Sequence, residues 1–121
     1  MNNREYIRLR LIRIIGHSEV VQVKMNGQKI WLKSEKSQPD FDWGNLNQGS
    51  KNLALAICKE LYPGHEIDLH EVFCRDYISK LKDSDIVEAN IDITEFCKYA
   101  RDVIRIKQEK GVKSIEDCLP F

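Results

Sequence analysis

The sequence feature that most constrains the fold is the dipeptide Asn26-Gly27, which lies between two stretches of alternating apolar residues. Asn-Gly readily adopts the positive φ angles of a two-residue type I′ turn, and the twist of that turn matches antiparallel strands. The pattern therefore predicts a β-hairpin over residues 20–33. The turn also determines which residues lie opposite one another: Val23 and Ile30, Val21 and Leu32, and Gln22 and Trp31. The first two pairs would form an apolar face, and the third pair would lie on the other face.

A third strand is predicted before the hairpin, because Ile7, Leu9 and Leu11 alternate with arginines. The alternation slips at Leu11-Ile12, which indicates a β-bulge at that point. With this strand included, the strand-forming part of the chain spans about residues 5–33.

Apolar residues at helical spacing predict three helices in the rest of the chain. The predicted segments are a polar connector at residues 34–49, helices at residues 50–62, 68–82 and 92–110, and a short C-terminal turn. Ser50 is predicted to cap the first helix, and Gly111 to end the third. The second and third helices should begin at Asp68 and near Asp92, each with a glutamate three residues later as in a capping box. We therefore predict a single domain, residues 1–121, with an α+β fold in which a small antiparallel sheet with an N-terminal hairpin precedes three helices packed on one face.

Charge is balanced over the whole chain but divided unevenly along it. The chain has 19 basic and 19 acidic residues, a balance that argues against a general nucleic-acid coat. Residues 1–36 carry eight basic and three acidic side chains, whereas residues 37–95 carry five basic and twelve acidic ones. The longest uncharged apolar stretch, residues 53–58, is far shorter than the roughly 20 residues of a membrane span. Since the N-terminus also has no signal-peptide pattern, a cytoplasmic protein without membrane contact is expected.

Three basic residues of the first strand, Arg8, Arg10 and Arg13, are candidates for nucleic-acid contacts, with Tyr6 and Trp31 nearby in the pattern. Guanidinium groups would hold phosphates while an aromatic ring stacks on a base. The alternative is a solvated sheet face whose arginines pair with acidic helices of the same molecule. This alternative is favoured, because internal pairing explains the neutral total charge.

The acidic middle of the chain contains a dense run between residues 83 and 95. Its members are Asp83, Asp85, Glu88, Asp92 and Glu95. Such a run would present a nucleic-acid-like field to a basic groove on another protein. The alternative is a set of acidic residues at helix N-termini together with a solvated face, which is the more ordinary arrangement.

Residue types suited to catalysis or metal binding occur without the spacing that either role needs. The four cysteines are spread along the chain without a Cys-x-x-Cys pair, which indicates small buried hydrophobic residues. His70 and Cys74 are four residues apart, but no second ligand pair accompanies them, so neither a metal nor a cofactor is expected. The segment from Gly44 to Lys51 has the glycine spacing of a phosphate-binding loop, but its serine precedes its lysine, which is the wrong order for that chemistry. We expect no enzyme, although the amides of residues 49–51 could hold an anion.

The segment from Phe41 to Ile57 resembles the hallmark of a bacterial and phage family, the domain-of-unknown-function family 6166. In that family a Phe-x-Trp-Gly motif leads through a glycine-rich loop to a Leu-Ala-Leu-Ala helix. The residues that match are Trp43, Gly44, Gly49 and Leu53 to Ala56. The chain departs from the pattern at Asn45, where the family has Tyr, and at Ser50, where it has Pro. The resemblance covers about residues 5–96.

This resemblance implies no known reaction, and it implies a small protein of phages, plasmids or integrated elements with an accessory or anti-defence role. We therefore expect a non-enzymatic protein that binds, and thereby inhibits, a host protein or nucleoprotein complex such as a CRISPR-type defence complex. The candidate partner-binding residues are Asp83, Asp85, Glu88, Asp92, Glu95, Trp43, Asn45 and Asn47. The alternative is a nucleic-acid-binding accessory or regulatory protein that uses the three arginines. Homodimer formation stays open at this stage, as does the location of Trp31 and Trp43 in the core or at an interface.

Overall fold

A computed structural model describes residues 7–14, 16–25, 27–35, 39–81 and 87–118 of the chain. Its strands are β1 (Arg8–Ile14), β2 (His17–Met25), β3 (Gln28–Lys33) and β4 (Glu88–Asp92), and its helices are α1 (Gln48–Leu61), α2 (Glu66–Phe73) and α3 (Thr94–Cys118). A five-residue π-helical turn, Cys74–Ile78, extends α2. The α+β fold expected from the sequence is confirmed.

The four strands form one antiparallel sheet in the order β3-β2-β1-β4. The hairpin register predicted from the Asn-Gly turn is confirmed, with Val23 opposite Ile30, Val21 opposite Leu32, and Gln22 opposite Trp31. Asn26 of the turn itself lies outside the described residues. The register of β1 against β2 shifts between Arg13 and Ile14, two residues later than the slip in the sequence pattern.

The fourth strand corrects the predicted outline, which had a helix from about Asp92 and no strand before it. The pairs that join β4 to β1 through buried side chains are Ile91 with Leu9 and Ala89 with Leu11. Only two apolar residues alternate within this acidic strand. Such a short alternating stretch cannot be recognised as a strand from the sequence without its partner. Asp92 ends the strand, and its carboxylate accepts the Thr94 N–H at 2.9 Å, so α3 begins at Thr94.

The starts of α1 and α2 also differ from the prediction. α1 begins at Gln48, and its N-cap is Asn47, whose Oδ1 atom accepts the Ser50 N–H at 2.9 Å. Ser50, the predicted cap, is a fully buried residue of the first turn. α2 begins at Glu66, so Asp68 lies inside the helix rather than at its cap. Each segment offers several polar residues that can cap a helix, and at α1 the hydrogen bond from Asn47 to Asp42 favours Asn47 over Ser50.

Two helix ends differ as well. The predicted helix of residues 68–82 changes to π-helical geometry at Cys74 and ends at Ile78. α3 continues through Gly111 to Cys118, where the sequence pattern predicted an end at residue 110 and a separate turn. A single glycine costs a helix only about 1 kcal/mol, so it does not have to end one.

The helices cover one face of the sheet and share one apolar core with it. The largest fully buried side chains include Trp43, Phe73, Phe96, Leu9, Leu11, Leu53 and Ile57. Phe73 of α2 packs on Phe96 of α3 with their ring centres 4.7 Å apart. This contact joins the second and third helices, as the predicted apolar stripes require. In the described part of the chain, no helix has the length and apolar character needed to cross a membrane.

Candidate functional site

The loop that carries the Trp-Gly motif is organised around the carboxylate of Asp42. That carboxylate accepts the Trp43 N–H at 2.8 Å and the side-chain amides of Asn45 and Asn47 at 3.0 and 2.9 Å. The Arg13 Nη2 atom, near the end of β1, donates to the same group at 3.1 Å. The Asp42 carboxylate therefore ties the loop to the sheet and to the start of α1.

These hydrogen bonds also lower the pKa of Asp42. Partial burial alone would raise the pKa of Asp42, but bonds from two asparagine side chains, the Trp43 amide and Arg13 outweigh it and hold the pKa below the ordinary value of 3.8. The carboxylate is therefore ionised at neutral pH, where it faces the Arg13 guanidinium. An ionised acceptor strengthens each hydrogen bond that it receives.

Asn45 and Asn47 extend this network into the first turn of α1. The Asn45 Oδ1 atom accepts the Asn47 N–H at 2.9 Å and the Ser50 hydroxyl at 2.7 Å. The Asn47 side chain accepts the Ser50 N–H, and the backbone carbonyl of Asn47 accepts the Lys51 N–H at 3.1 Å. Because the Ser50 and Lys51 amides donate within the chain, they are not directed at an anion, which corrects the expectation for these two residues.

Two glycines permit the tight path of this loop. Gly44 has a φ angle of 85°, which glycine adopts readily, and its N–H donates to the Ile78 carbonyl at 2.9 Å at the end of the π-helical turn. At Gly49, a Cβ atom would lie 2.3 Å from the Asp40 carbonyl oxygen. The loop and α1 therefore meet backbone to backbone, which a larger residue at Gly49 would prevent.

Of the loop residues predicted to bind a partner, Trp43 has no exposed surface. Its ring is fully buried, with the Arg13 guanidinium 4.0 Å from the ring centre. Asn45 and Asn47 retain exposed surface, but their side-chain amides donate inside the loop. The structure thus places Trp43 in the core and makes this loop a junction between β1, α1 and the π-helical turn.

The three candidate arginines do not share a face. Arg8 and Arg10 are exposed on the sheet face that the helices leave uncovered, which we call the outer face and which consists of these residues, Ile12 and the residues paired with them. There the Arg10 Nε atom lies 2.6 Å from a Glu88 oxygen. Arg13 is directed to the opposite side, over Trp43. The three arginines therefore form no single clamp, and the favoured pairing within the molecule uses β4 and the loop rather than the predicted helices.

The members of the acidic run occupy different elements. Asp83 and Asp85 lie outside the described residues. Glu88 and Asp92 lie on the outer face in β4, next to arginines of β1. Hydrogen bonds from the side chain and backbone of the following threonine lower the pKa of Asp92. Glu95 lies in the first turn of α3, where a lysine one turn later is 3.4 Å away. The three described members thus each have a local partner and form no single cluster.

The feature that sequence reasoning missed is the cationic surface around Trp31. Trp31 is 60% exposed near the centre of β3, with Lys29 and Lys33 on either side of it on the outer face. Lys24 of β2 lies directly opposite Lys29, and Arg10 of β1 lies directly opposite Lys24. Within the described residues, neither Lys24 nor Lys29 has a carboxylate at ion-pair distance. The Lys-x-Trp-x-Lys alternation, read with the hairpin register, is the sequence signal for this surface.

A groove of about 500 Å³ lies between β3 and α1, at the same edge of the sheet. Its apolar lining includes the buried Leu32 and Phe41, and α1 contributes the half-buried Leu55 and Ala56. The charged residues that line it are Lys33, Glu35, Lys59 and Glu60. The groove therefore combines an apolar lining with charged side chains of both signs.

Potentially reactive side chains are dispersed over the described residues. Cys58, Cys74 and Cys97 are buried free thiols, as the sequence predicted. Burial raises the pKa of Cys58 to about 12 and also raises the pKa of Cys74, so neither thiol is an ionised nucleophile at neutral pH. The His70 Nδ1 atom lies 3.0 Å from the Glu66 carbonyl within α2. Across the described ranges, no group of three or more His, Cys, Asp or Glu side chains could hold a metal ion.

Together, the fold and the loop define a small α+β domain in which an arginine-carboxylate pair ties a Trp-Gly loop to the sheet. The chain belongs to the family of unknown function DUF6166, whose model matches residues 13–99. The matched segment begins at Arg13, contains the loop, β3 and α1, and ends in the first part of α3, whereas Arg8 and Arg10 precede it. Comparison with curated proteins and with solved structures gave no match.

Proposed function

We propose that this protein is a non-enzymatic binding module that captures a partner protein through β3 and the cationic surface around Trp31. The observation that carries the proposal is the 60% exposure of Trp31 on a strand at the end of the sheet. An exposed tryptophan contributes little to the core. At a protein interface, by contrast, tryptophan is among the residues whose burial contributes most to affinity.

The position of β3 in the sheet supports the same proposal. In the described sheet β3 pairs with β2 alone, so one row of its backbone groups is left for other contacts. Such edges attract additional strands, and proteins use them to bind extended segments of other chains. The family match includes all of β3, whereas Arg8 and Arg10 precede it.

For the partner, we propose a host protein or nucleoprotein complex of the nucleic-acid-guided defence class, with this protein as an accessory or inhibitory factor of a phage or mobile element. This assignment rests on the resemblance to the family and on small size, while the contact surface rests on the geometry around Trp31.

A second candidate function is the binding of single-stranded nucleic acid on the outer face. The observation that favours it is the row Arg10, Lys24 and Lys29 across three strands, with Trp31 two residues from Lys29. Cations can hold phosphates while an exposed ring stacks on a base. The carboxylates of β4 on the same face would repel phosphates, and this is why the protein partner is preferred.

The test is affinity capture from a lysate of the host bacterium, with and without nuclease, read by mass spectrometry. A specific protein that survives nuclease treatment and is lost with Trp31→Ala supports the proposal. Ile67→Ala is the matched control, since Ile67 is 69% exposed on α2, and it should retain the partner. Capture that Trp31→Ala leaves unchanged would contradict the proposed surface. Partners that disappear with nuclease, together with oligonucleotide affinity that falls steeply with salt, would favour the second candidate.

The acidic run is tested in the same assay as a separate surface. Charge reversal of Asp83, Asp85 and Glu88 together should weaken capture if these carboxylates contact the partner. Unchanged capture by this triple variant, with an unchanged circular dichroism spectrum, would remove the acidic run from the binding surface.

A further inference from the structure

We propose that the groove between β3 and α1 binds an extended acidic segment of a partner protein, which adds to the sheet as a strand beside β3. This inference rests on the proposed protein-binding function and specifies how the partner is held. In the sheet as described, β3 is a terminal strand and α1 forms the other wall of the groove. That arrangement of edge strand, groove and helix suits strand addition.

The register shows which backbone groups of β3 face the open edge. The Ser34 N–H donates to the Glu19 carbonyl at 2.9 Å, so this opposed pair is hydrogen-bonded. Bonded and non-bonded pairs alternate along an antiparallel ladder, so Leu32 and Ile30 also bond to β2. The residues whose N–H and C=O groups point to the open edge are then Lys29, Trp31 and Lys33.

The groove beside these groups accommodates apolar side chains. α1 lines it with residues spaced along one helix face: Asn52, Leu55, Ala56, Lys59 and Glu60. Leu32 and Phe41 complete its apolar lining. An added strand would direct every second side chain to the groove side of the sheet. Its volume of about 500 Å³ is in the range of sites that bind small ligands or a few side chains.

The charges on β3 select acidic side chains for the remaining positions of the added strand. Lys29 and Lys33 lie on the outer face on either side of Trp31, and Lys24 lies directly opposite Lys29. Like charges directly opposite one another destabilise a strand pair, and a carboxylate beside Lys29 would relieve this repulsion. The matching segment therefore has the pattern acidic-apolar-neutral-apolar-acidic, with the neutral residue opposite Trp31.

A second copy of this chain fits the edge less well. If two copies of β3 paired antiparallel around Trp31, Lys29 of each copy would lie opposite Lys33 of the other. Both pairs would be repulsive. Lysines on edge strands commonly prevent such self-pairing, so the residues that disfavour a second copy are those that favour an acidic segment.

The test uses a synthetic peptide, acetyl-Ser-Asp-Val-Thr-Val-Glu-Ser-amide, titrated to millimolar concentration into the isotope-labelled full-length protein and followed by NMR. We expect saturable shifts of the backbone amides of Lys29, Trp31 and Lys33 and of the Trp31 indole. A peptide with lysine in place of both acidic residues should bind about tenfold more weakly or worse, since each opposed charge pair changes from attraction to repulsion.

Backbone pairing is tested by changing the peptide and leaving the protein untouched. N-methylation of the peptide threonine, opposite Trp31, removes a donor to the Trp31 carbonyl and places a methyl group in the ladder. This should weaken binding by about tenfold or more. The matched control is N-methylation of the valine that follows, whose N–H points away from β3, and its affinity should stay within about threefold.

Variants of the protein complete the test. Lys29→Glu together with Lys33→Glu should reverse the preference between the acidic and basic peptides, and the exposed control Lys98→Glu should leave it unchanged. The proposal is overturned if the acidic peptide leaves the β3 amides unmoved or if both peptides bind alike. It is also overturned if an oligothymidylate, or a second copy detected by sedimentation, occupies this edge in preference to the peptide.

The result is separable from that of the proposed function. A nuclease-resistant partner captured equally by wild type and by the Lys29→Glu/Lys33→Glu variant would overturn the groove and the lysines around Trp31 as the contact, while protein binding as such would stand. Peptide binding with the expected charge and backbone dependence, without any captured partner, would support the groove and count against the function.

Discussion

The guanidinium carbon of Arg13 lies 4.0 Å from the centre of the Trp43 ring, and the same guanidinium donates to Asp42 at 3.1 Å. Trp43 is fully buried and Asp42 is ionised, so one cation covers the ring and neutralises the carboxylate. A cation over an aromatic face contributes about 0.5–2 kcal/mol, with the higher values at desolvated sites. Arg13, one of the candidates for nucleic-acid contacts, therefore holds the loop against β1.

Replacement of Arg13 by methionine should lower the free energy of unfolding by about 1–3 kcal/mol, because it removes the cation–π contact and leaves the Asp42 carboxylate without its cation. The measurement is urea denaturation followed by circular dichroism. Arg8→Met is the control, since Arg8 is exposed on the outer face, and it should change the stability by less than about 0.5 kcal/mol. Equal effects of the two substitutions would mean that the contact with Trp43 contributes no stability.

Replacement of Asp42 by asparagine should destabilise the protein by about 2–3 kcal/mol at pH 7, since hydrogen bonds to a charged acceptor are stronger than neutral ones. The folded pKa of Asp42 is lowered, so its stabilising contribution is present above the ordinary value of 3.8 and is lost as the pH falls through the folded value. The stability difference between wild type and Asp42→Asn should therefore shrink as the pH is lowered below 3.8. Urea denaturation at a series of pH values measures this difference. The control is Asp102→Asn, at an exposed position of α3, which should change the stability at pH 7 by less than about 0.5 kcal/mol.

Replacement of Gly49 by alanine should cost about 1–3 kcal/mol, although alanine is the better helix former. The added Cβ atom would meet the Asp40 carbonyl at 2.3 Å, and a backbone oxygen cannot move aside as the end of a flexible side chain can. Gln48→Ala, at the neighbouring exposed position, should change the stability by less than about 0.5 kcal/mol. An equally stable Gly49→Ala variant in thermal unfolding would show that the loop does not press on α1.

The two tryptophans should behave oppositely in fluorescence and in stability. Trp43 is fully buried, whereas Trp31 is 60% exposed. Trp31→Phe should therefore remove the emission that acrylamide quenches and leave the stability within about 0.5 kcal/mol. Trp43→Phe should remove the protected emission and cost about 2 kcal/mol or more, because it opens a cavity in the core. Similar quenching of both variants would contradict the assignment of Trp43 to the core.

The hairpin was predictable because its signals are local. Asn26-Gly27 and the alternating residues on either side specify a turn, a register and an apolar face within a short segment. The helices were predictable in number and order for the same reason, since apolar residues at helical spacing need no distant partner to be recognised. Their ends were less predictable: Asn47 and Ser50 can both cap α1, and the hydrogen bond from Asn47 to Asp42 favours Asn47.

The candidate surface was less predictable than the fold. The bulge predicted at Leu11-Ile12 would bring Arg13 to the face of Arg8 and Arg10, but the register is regular as far as Arg13, so strand alternation directs Arg13 to the covered side of the sheet, over Trp43. The sequence pattern places Trp31 opposite Gln22 and near the arginines of the first strand, and it leaves open whether Trp31 lies in the core or at an interface. The hairpin pattern puts Trp31 on the face opposite the apolar pairs, whereas the groove beside it forms only where α1 packs next to β3.

By itself, the sequence determined the α+β class, the hairpin register, the apolar stripes of the helices and the similarity of the Trp-Gly loop to its family. Only the tertiary structure decided that residues 88–92 form a strand, that Trp43 belongs to the core and that Trp31 stands exposed beside a groove. Local periodicity depends on neighbours a few residues apart, so the sequence displays it directly. Burial and charge pairing depend on segments that meet only after folding, as Arg13 and Asp42 do.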